Sequence, residues 1–132
     1  EKDLQQLLII KELCRQKYNN IQIVNCSTVR NLNGLAKSSR NKNLNAQEAL
    51  RARSIYKVLK KVKKNKLNWS IKTIKEYVKN YFNNIPIINL DYFEIIESES
   101  FSFTQEINSN CTYYAMIAVK IRNIRLIDNL KL

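Results

Sequence analysis

Two short stretches of this 132-residue chain gather residue types suited to a charged, phosphorylated substrate. The first is Glu1-Lys2-Asp3-Leu4-Gln5-Gln6, which sets an ammonium, a carboxylate and two amides close together at the start of a helical pattern. Backbone N–H groups at a helix start lack intrahelical partners and favour an anion. A lysine there could neutralise phosphate, an aspartate could accept from a hydroxyl, and a glutamine could meet a polar substrate atom. The letters alone favour a blander reading, since acidic and amide residues are ordinary at helix starts. The second stretch is Lys37-Ser38-Ser39-Arg40-Asn41, behind an Asn33-Gly34 turn. Its guanidinium can grip phosphate oxygens bidentately, and its hydroxyls can swing to suit. A solvated polar loop is the competing reading, and the stretch by itself slightly favours it.

The elements that must carry these stretches follow from periodicity. Leu4, Leu7, Leu8, Ile10 and Cys14 recur at helical spacing over residues 4–16, with Lys11, Glu12 and Arg15 outside. Asn19-Asn20 breaks the helix, and Ile21-Gln22-Ile23-Val24 reads as a short strand ending near Cys26. Helix, turn and strand together form one αβ unit, which needs a parallel sheet to join. From Ser27 to Asn45 the chain is polar and holds its only glycine, Gly34. Asn45 with Glu48 three positions later resembles a capping box. The helix it opens places Ala49, Ala52, Tyr56 and Leu59 on one stripe, with Ile55, Val58 and Val62 beside it. A further helix runs from about Ser70, with Ile71, Ile74, Tyr77, Val78, Tyr81 and Phe82 inward, and stops before Pro86.

The period then changes. Tyr92, Glu94 and Ile96 alternate with Phe93, Ile95 and Glu97, a strand pattern. Ser98–Asn110 is a polar loop without an assigned role. Tyr113–Ile121 and Ile124–Ile127 are further strands joined by a tight turn at Arg122-Asn123. Helices followed by strands without βαβ alternation predict an α+β fold, a small antiparallel three-stranded sheet packed with helices.

Composition narrows the function classes. Hydrophobic residues make up 45% of the chain, and a chain of this size buries roughly two-thirds of its unfolded surface, so a wholly disordered tail is excluded. No uncharged apolar run, Leu7–Ile10 included, is long enough to span a bilayer, and no membrane partner is expected. Cys14, Cys26 and Cys111 are widely spaced and there is no histidine, which argues against a zinc site, a disulfide framework and a Cys–His catalytic pair. A reduced, cytoplasmic setting fits. The formal charge of +12 raises nucleic-acid binding as the alternative function. Against it, 16 of the 23 basic residues are lysines, and Asn and Ile are equally frequent, a bias that A/T-rich codons produce unaided. No aromatic residues interleave with the densest run, Lys57 to Lys66, so no nucleic-acid partner is expected. A structural or oligomerisation domain is the third possibility.

Taken in order, the motifs add specificity. Lys2-Asp3-Leu4-Gln5-Gln6, Ser27-Thr28-Val29-Arg30, Asn33-Gly34-Leu35-Ala36-Lys37-Ser38-Ser39-Arg40-Asn41, Asp91-Tyr92-Phe93-Glu94-Ile95 and Arg125-Leu126-Ile127-Asp128-Asn129 resemble the pantoate–β-alanine ligase (pantothenate synthetase) family. That family writes most of them as K-D-x-Q-Q, P-T-V-R, D-G-L-A-M-S-S-R-N and R-L-I-D-N. The resemblance covers essentially the whole chain. Lys37 replaces the family's methionine, Ser27 its proline and Asn33 its aspartate.

The resemblance implies a two-step ligation. ATP, with Mg2+, activates pantoate as pantoyl adenylate, and β-alanine then displaces AMP to give pantothenate. By position, Lys2 would hold the ATP phosphates, Asp3 the ribose and Gln6 pantoate. Val29 would meet adenine through its backbone. Lys37, Ser38, Ser39 and Arg40 would close over the triphosphate as the KMSKS loop does in related nucleotidyltransferases, and Glu1 shares the ATP-contacting turn. No catalytic residue is assigned. The family's H-x-G-H motif has no counterpart in a chain without histidine, and the first residue is Glu1 rather than Met. The resemblance therefore implies a piece of a larger enzyme. Residues 1–27 would be the last helix and strand of a Rossmann-like nucleotide-binding domain, and 28–132 a C-terminal lid domain. It would be inactive alone and belong to a homodimer when complete.

Overall fold

The computed structural model describes residues 1–18 and 20–132. Three helices and one sheet make up the regular structure: α1 (Leu4–Lys17), α2 (Ala46–Asn65), α3 (Ile71–Asn83), then β1 (Ile88–Glu97), β2 (Tyr113–Ile121) and β3 (Ile124–Lys131). The strands run antiparallel in the order β1-β2-β3, as the change of period predicts. None of the helices is long and apolar enough to cross a membrane.

Local chemistry explains the boundaries. The Asn45 side chain accepts from the Glu48 N–H while the Glu48 carboxylate accepts from the Asn45 N–H, so α2 begins in a complete capping box. Ser70 caps α3 through the Thr73 N–H. The register of β1 slips between Leu90 and Tyr92, a bulge that leaves Asp91 unpaired in the ladder. Arg122 takes φ +51° in the two-residue turn between β2 and β3.

One face of the sheet is covered by α2 and α3. Val58, Leu59, Val62, Ile74, Val78 and Phe82 pack there against Ile95, Ile117, Val119 and Ile121. The other face receives the beginning of α1, whose Leu4 and Leu8 meet Ile96 in a small second cluster.

Four expectations change. Ile10 is exposed and Cys14 half-buried, because only the first turns of α1 lie over the sheet. The Ile21–Val24 strand does not form among the described residues, since this chain offers no parallel sheet edge to pair with it. Its proposed break at Asn19 lies outside the described residues, and α1 has already ended at Lys17. The Ser27–Asn45 stretch is more ordered than its polarity suggests. It holds a bridge between Arg30 and Ala36 and a 3-10 turn over Ser39–Asn43. β3 also extends beyond Ile127, so Asp128 and Asn129 are strand residues.

Candidate functional site

A groove of about 710 Å3 runs between the start of α1 and the exposed face of the sheet. Lys2, Asp3 and Gln6 line it from the helix, and Tyr92, Glu94, Met116, Arg125 and Asn129 from the sheet. A small crevice adjoins it, lined by Lys2, Ser38, Arg40, Asn41 and Arg125. Lys2 and Arg125 thus face both spaces, and the two chemistry-bearing stretches meet there although 36 residues separate Lys2 from Ser38. Glu1, Val29, Lys37 and Ser39 line neither space and lie exposed around it.

A polar clasp brings the stretches together. The Arg30 guanidinium donates to both Asp128 carboxylate oxygens at 2.5 and 2.9 Å, and also to the carbonyls of Gly34 and Asn129 at 3.0 and 3.2 Å. It stacks on the Tyr56 ring, 4.0 Å from its centroid. From the next residue, the Asn129 amide donates to the carbonyls of Glu1 and Lys2 at 2.8 and 2.9 Å. Adjacent residues of one strand therefore hold the turn at 30–34 and the entry to α1. Gly34 sits at φ +87°, and a Cβ there would collide with the Tyr56 ring. The turn demands glycine on both counts.

The loop is fastened in the same manner. Val29 O accepts from the Lys37 N–H at 2.9 Å, and the Asn41 amide donates to Ala36 O at 3.0 Å. Ser38 Oγ accepts from the Arg40 N–H, and Arg40 Nη1 donates to Arg125 O at 3.3 Å. Arg125 itself is aimed by Asp91, whose carboxylate accepts from Nε at 2.7 Å. The β1 bulge sets up that pair.

Electrostatics follow the packing. Burial pushes the Asp128 carboxyl above its ordinary value, while Arg30, the Asn129 N–H and Lys2 all pull against that rise. The hydrogen bond from Arg125 holds the Asp91 carboxyl below the usual range, helped by the charge of Lys120. Burial raises the Tyr92 phenol. Lys2 Nζ lies 3.3 Å from Asp3 Oδ1, and Asp3 makes no capping hydrogen bond. A lysine beside a helix start, with Arg40 and Arg125 across a narrow gap, offers a positive seat for a polyanion. Among the described residues no three of His, Cys, Asp or Glu gather to hold a metal.

Residue-type reasoning assigned no role to Arg30, Arg125, Asp128 or Asn129, although the motifs R-L-I-D-N and S-T-V-R contain them. Their type carried no signal by itself. Only the pairing of two motifs 98 residues apart reveals the clasp.

Comparison with known proteins agrees with the geometry. The family described as pantoate-beta-alanine ligase matches residues 1–131. The pantothenate synthetase of Flavobacterium psychrophilum is 39% identical over 132 residues, covering 100% of this chain and 47% of the relative. That of Azobacteroides pseudotrichonymphae is 38% identical over 130 residues, covering 98% and 46%. The crystal structure of the Thermus thermophilus pantothenate synthetase superposes with a TM-score of 0.84 at 28% identity, over 98% of this chain and 47% of that one. A Francisella tularensis pantoate-beta-alanine ligase, complexed with beta-gamma ATP and beta-alanine, gives 0.62 at 28% identity, over 98% and 41%. The chain thus spans about half the length of the relatives it matches, and it belongs to the pantoate–β-alanine ligase family.

Proposed function

We propose that this chain is the C-terminal part of an ATP-dependent ligase that condenses pantoate with β-alanine. Residues 1–27 belong with its nucleotide-binding domain, and 28–132 form its lid. Pantoate attacks the α-phosphate of ATP to give pantoyl adenylate and pyrophosphate; the amine of β-alanine then displaces AMP. The complete enzyme is a cytoplasmic homodimer.

The observation that carries this reading is the convergence of Lys2, Ser38 and Arg40 on one crevice beside the larger groove. In that arrangement Lys2 neutralises the phosphates, and Ser38, Ser39 and Arg40 close over them with Lys37 adding charge at the rim. Asp3 accepts from the ribose and Gln6 orients pantoate from the same face of α1. Val29 O is engaged by Lys37, which leaves its N–H to meet the adenine edge. Glu1 supplies backbone to the turn that Asn129 fixes. These groups position substrates and offset charge that develops at phosphorus, and they transfer no proton themselves.

The test uses the full-length gene product, scored by AMP release that requires both pantoate and β-alanine. Lys2→Ala and Arg40→Ala should each lower kcat/KM by about a hundredfold or more, the scale of losing one charge-stabilising donor. Unchanged activity in both variants refutes the site. The 132-residue chain alone should form no pantothenate, and measurable turnover would refute its reading as part of a larger catalyst.

A further inference from the structure

The basic charge is not spread evenly over the chain. Helix α2 holds seven Lys or Arg and one carboxylate, a net +6 in 20 residues against +12 for all 132. A codon bias acting everywhere alike does not concentrate half the charge on one helix. Arg53, Lys57 and Lys60 fall at i, i+4 and i+7 and so form one stripe. With Arg51 they line a second groove, of about 610 Å3, on the side of α2 away from the sheet. Its floor includes the half-buried rings of Tyr56 and Tyr81, and Asn33 stands at its edge.

No carboxylate lines this groove, and among the described residues Arg51, Arg53, Lys57 and Lys60 have no ion-pair partner. The one acid of α2, Glu48, is taken by Arg122 at 3.1 Å. Four uncompensated cations along one wall of a concavity focus positive potential into it. An aromatic floor adds a surface for a planar group.

We propose that this groove is a binding site for a small ligand carrying two or more linked phosphates, distinct from the Lys2–Arg40 crevice. The shape favours a compact anion over an extended nucleic acid, because the cations of α2 form one wall of a pocket bounded on the other side by Tyr81 and Ile85. Tyr56 also links the two sites. Its ring carries Arg30 at 4.0 Å and Lys60 at 5.0 Å, and it packs beneath Gly34. A phosphate that draws Lys60 off the ring therefore touches the same side chain that seats the clasp. The proposal stands independently of the ligase reading.

Inorganic tripolyphosphate titrated into the 132-residue chain at low ionic strength, followed by amide NMR, tests it. Asn33, Tyr56 and Lys57 amides should shift together and saturate, separately from any response at Lys2 and Arg40. The paired substitution Arg53→Gln with Lys57→Gln changes only exposed side chains of a helix, so the fold should persist in the same spectra. It should weaken the Tyr56 response about tenfold or more, as two charge-assisted contacts are lost, and leave the Lys2 response in place. Shifts confined to Lys2 and Arg40, no saturation, or binding indifferent to the double substitution would each overturn the site. A single-stranded oligonucleotide that binds more tightly than tripolyphosphate at equal salt would replace it with a nucleic-acid surface.

Discussion

The sheet is held by different physics at its centre and along its edge strand β3. Beneath α2 and α3 the contact is apolar and continuous, and side chains such as Val58, Ile74, Ile117 and Phe82 are almost fully excluded from water. Against α1 the apolar contribution is a small cluster around Leu4, Leu8 and Ile96, and the 27–45 segment adds the buried Leu35 and Ala36. Along β3 the work passes to directed polar contacts on both faces: Asp128, on the face of Ile117, binds Arg30, and Asn129, on the other, binds the first carbonyls of the chain. Apolar burial is non-directional and forgives small changes of shape. A buried ion pair is intolerant of losing one member. The edge that holds the 30–34 turn and the start of α1 is therefore the brittle one.

The contrast is broken most severely at Asp128. Asp128→Ala leaves the largely buried Arg30 guanidinium without its carboxylate partner and should cost about 3–5 kcal/mol in denaturant unfolding. Ile117→Val, at a fully buried core position, should cost only about 0.5–1.5 kcal/mol. If the two losses are equal, the clasp is not the more fragile region.

Asn129→Ala sharpens the comparison at a smaller scale. It removes two hydrogen bonds to Glu1 and Lys2 and should cost about 1–3 kcal/mol. Its signature is local: amide exchange should quicken through the first turn of α1 while protection in α2 and β2 is unchanged. Uniform acceleration across the chain would contradict that division.

The smallest effect is expected at the exposed rim. Asp91 has a carboxyl held below its unfolded value by Arg125, so its contribution to stability is present above the ordinary carboxylate pKa and fades as pH falls through the lowered one. Asp91→Asn should flatten the acid limb of the stability–pH curve slightly. A carboxyl resonance of Asp91 that titrates at the ordinary aspartate value would remove the pair from the account.

How much of this was legible follows from range. The capping box at Asn45, the Ser70 start and the Arg122-Asn123 turn are encoded within a few residues, and each lies where the letters place it. The stripes of α2 and α3 are likewise local, except that Tyr56, Tyr77 and Tyr81 remain half-buried where the pattern turned them inward. The Ile21–Val24 strand failed because pairing needs a partner, and propensity cannot supply one. On the site, the letters identified Lys2, Ser38 and Arg40 as chemically apt but could not bring them together.

The sequence by itself determined the class of fold, the two stretches whose residue types suit a phosphorylated ligand and the family their motifs match, since these rest on periodicity and on residue order. Tertiary structure alone decided that Arg30, 98 residues from Asp128, closes onto it, and that Asn129 then fixes the turn bearing Lys2. The physical reason is burial. An arginine and an aspartate are ordinary surface residues until the packing around them removes water, and only then do they become the clasp that shapes the groove.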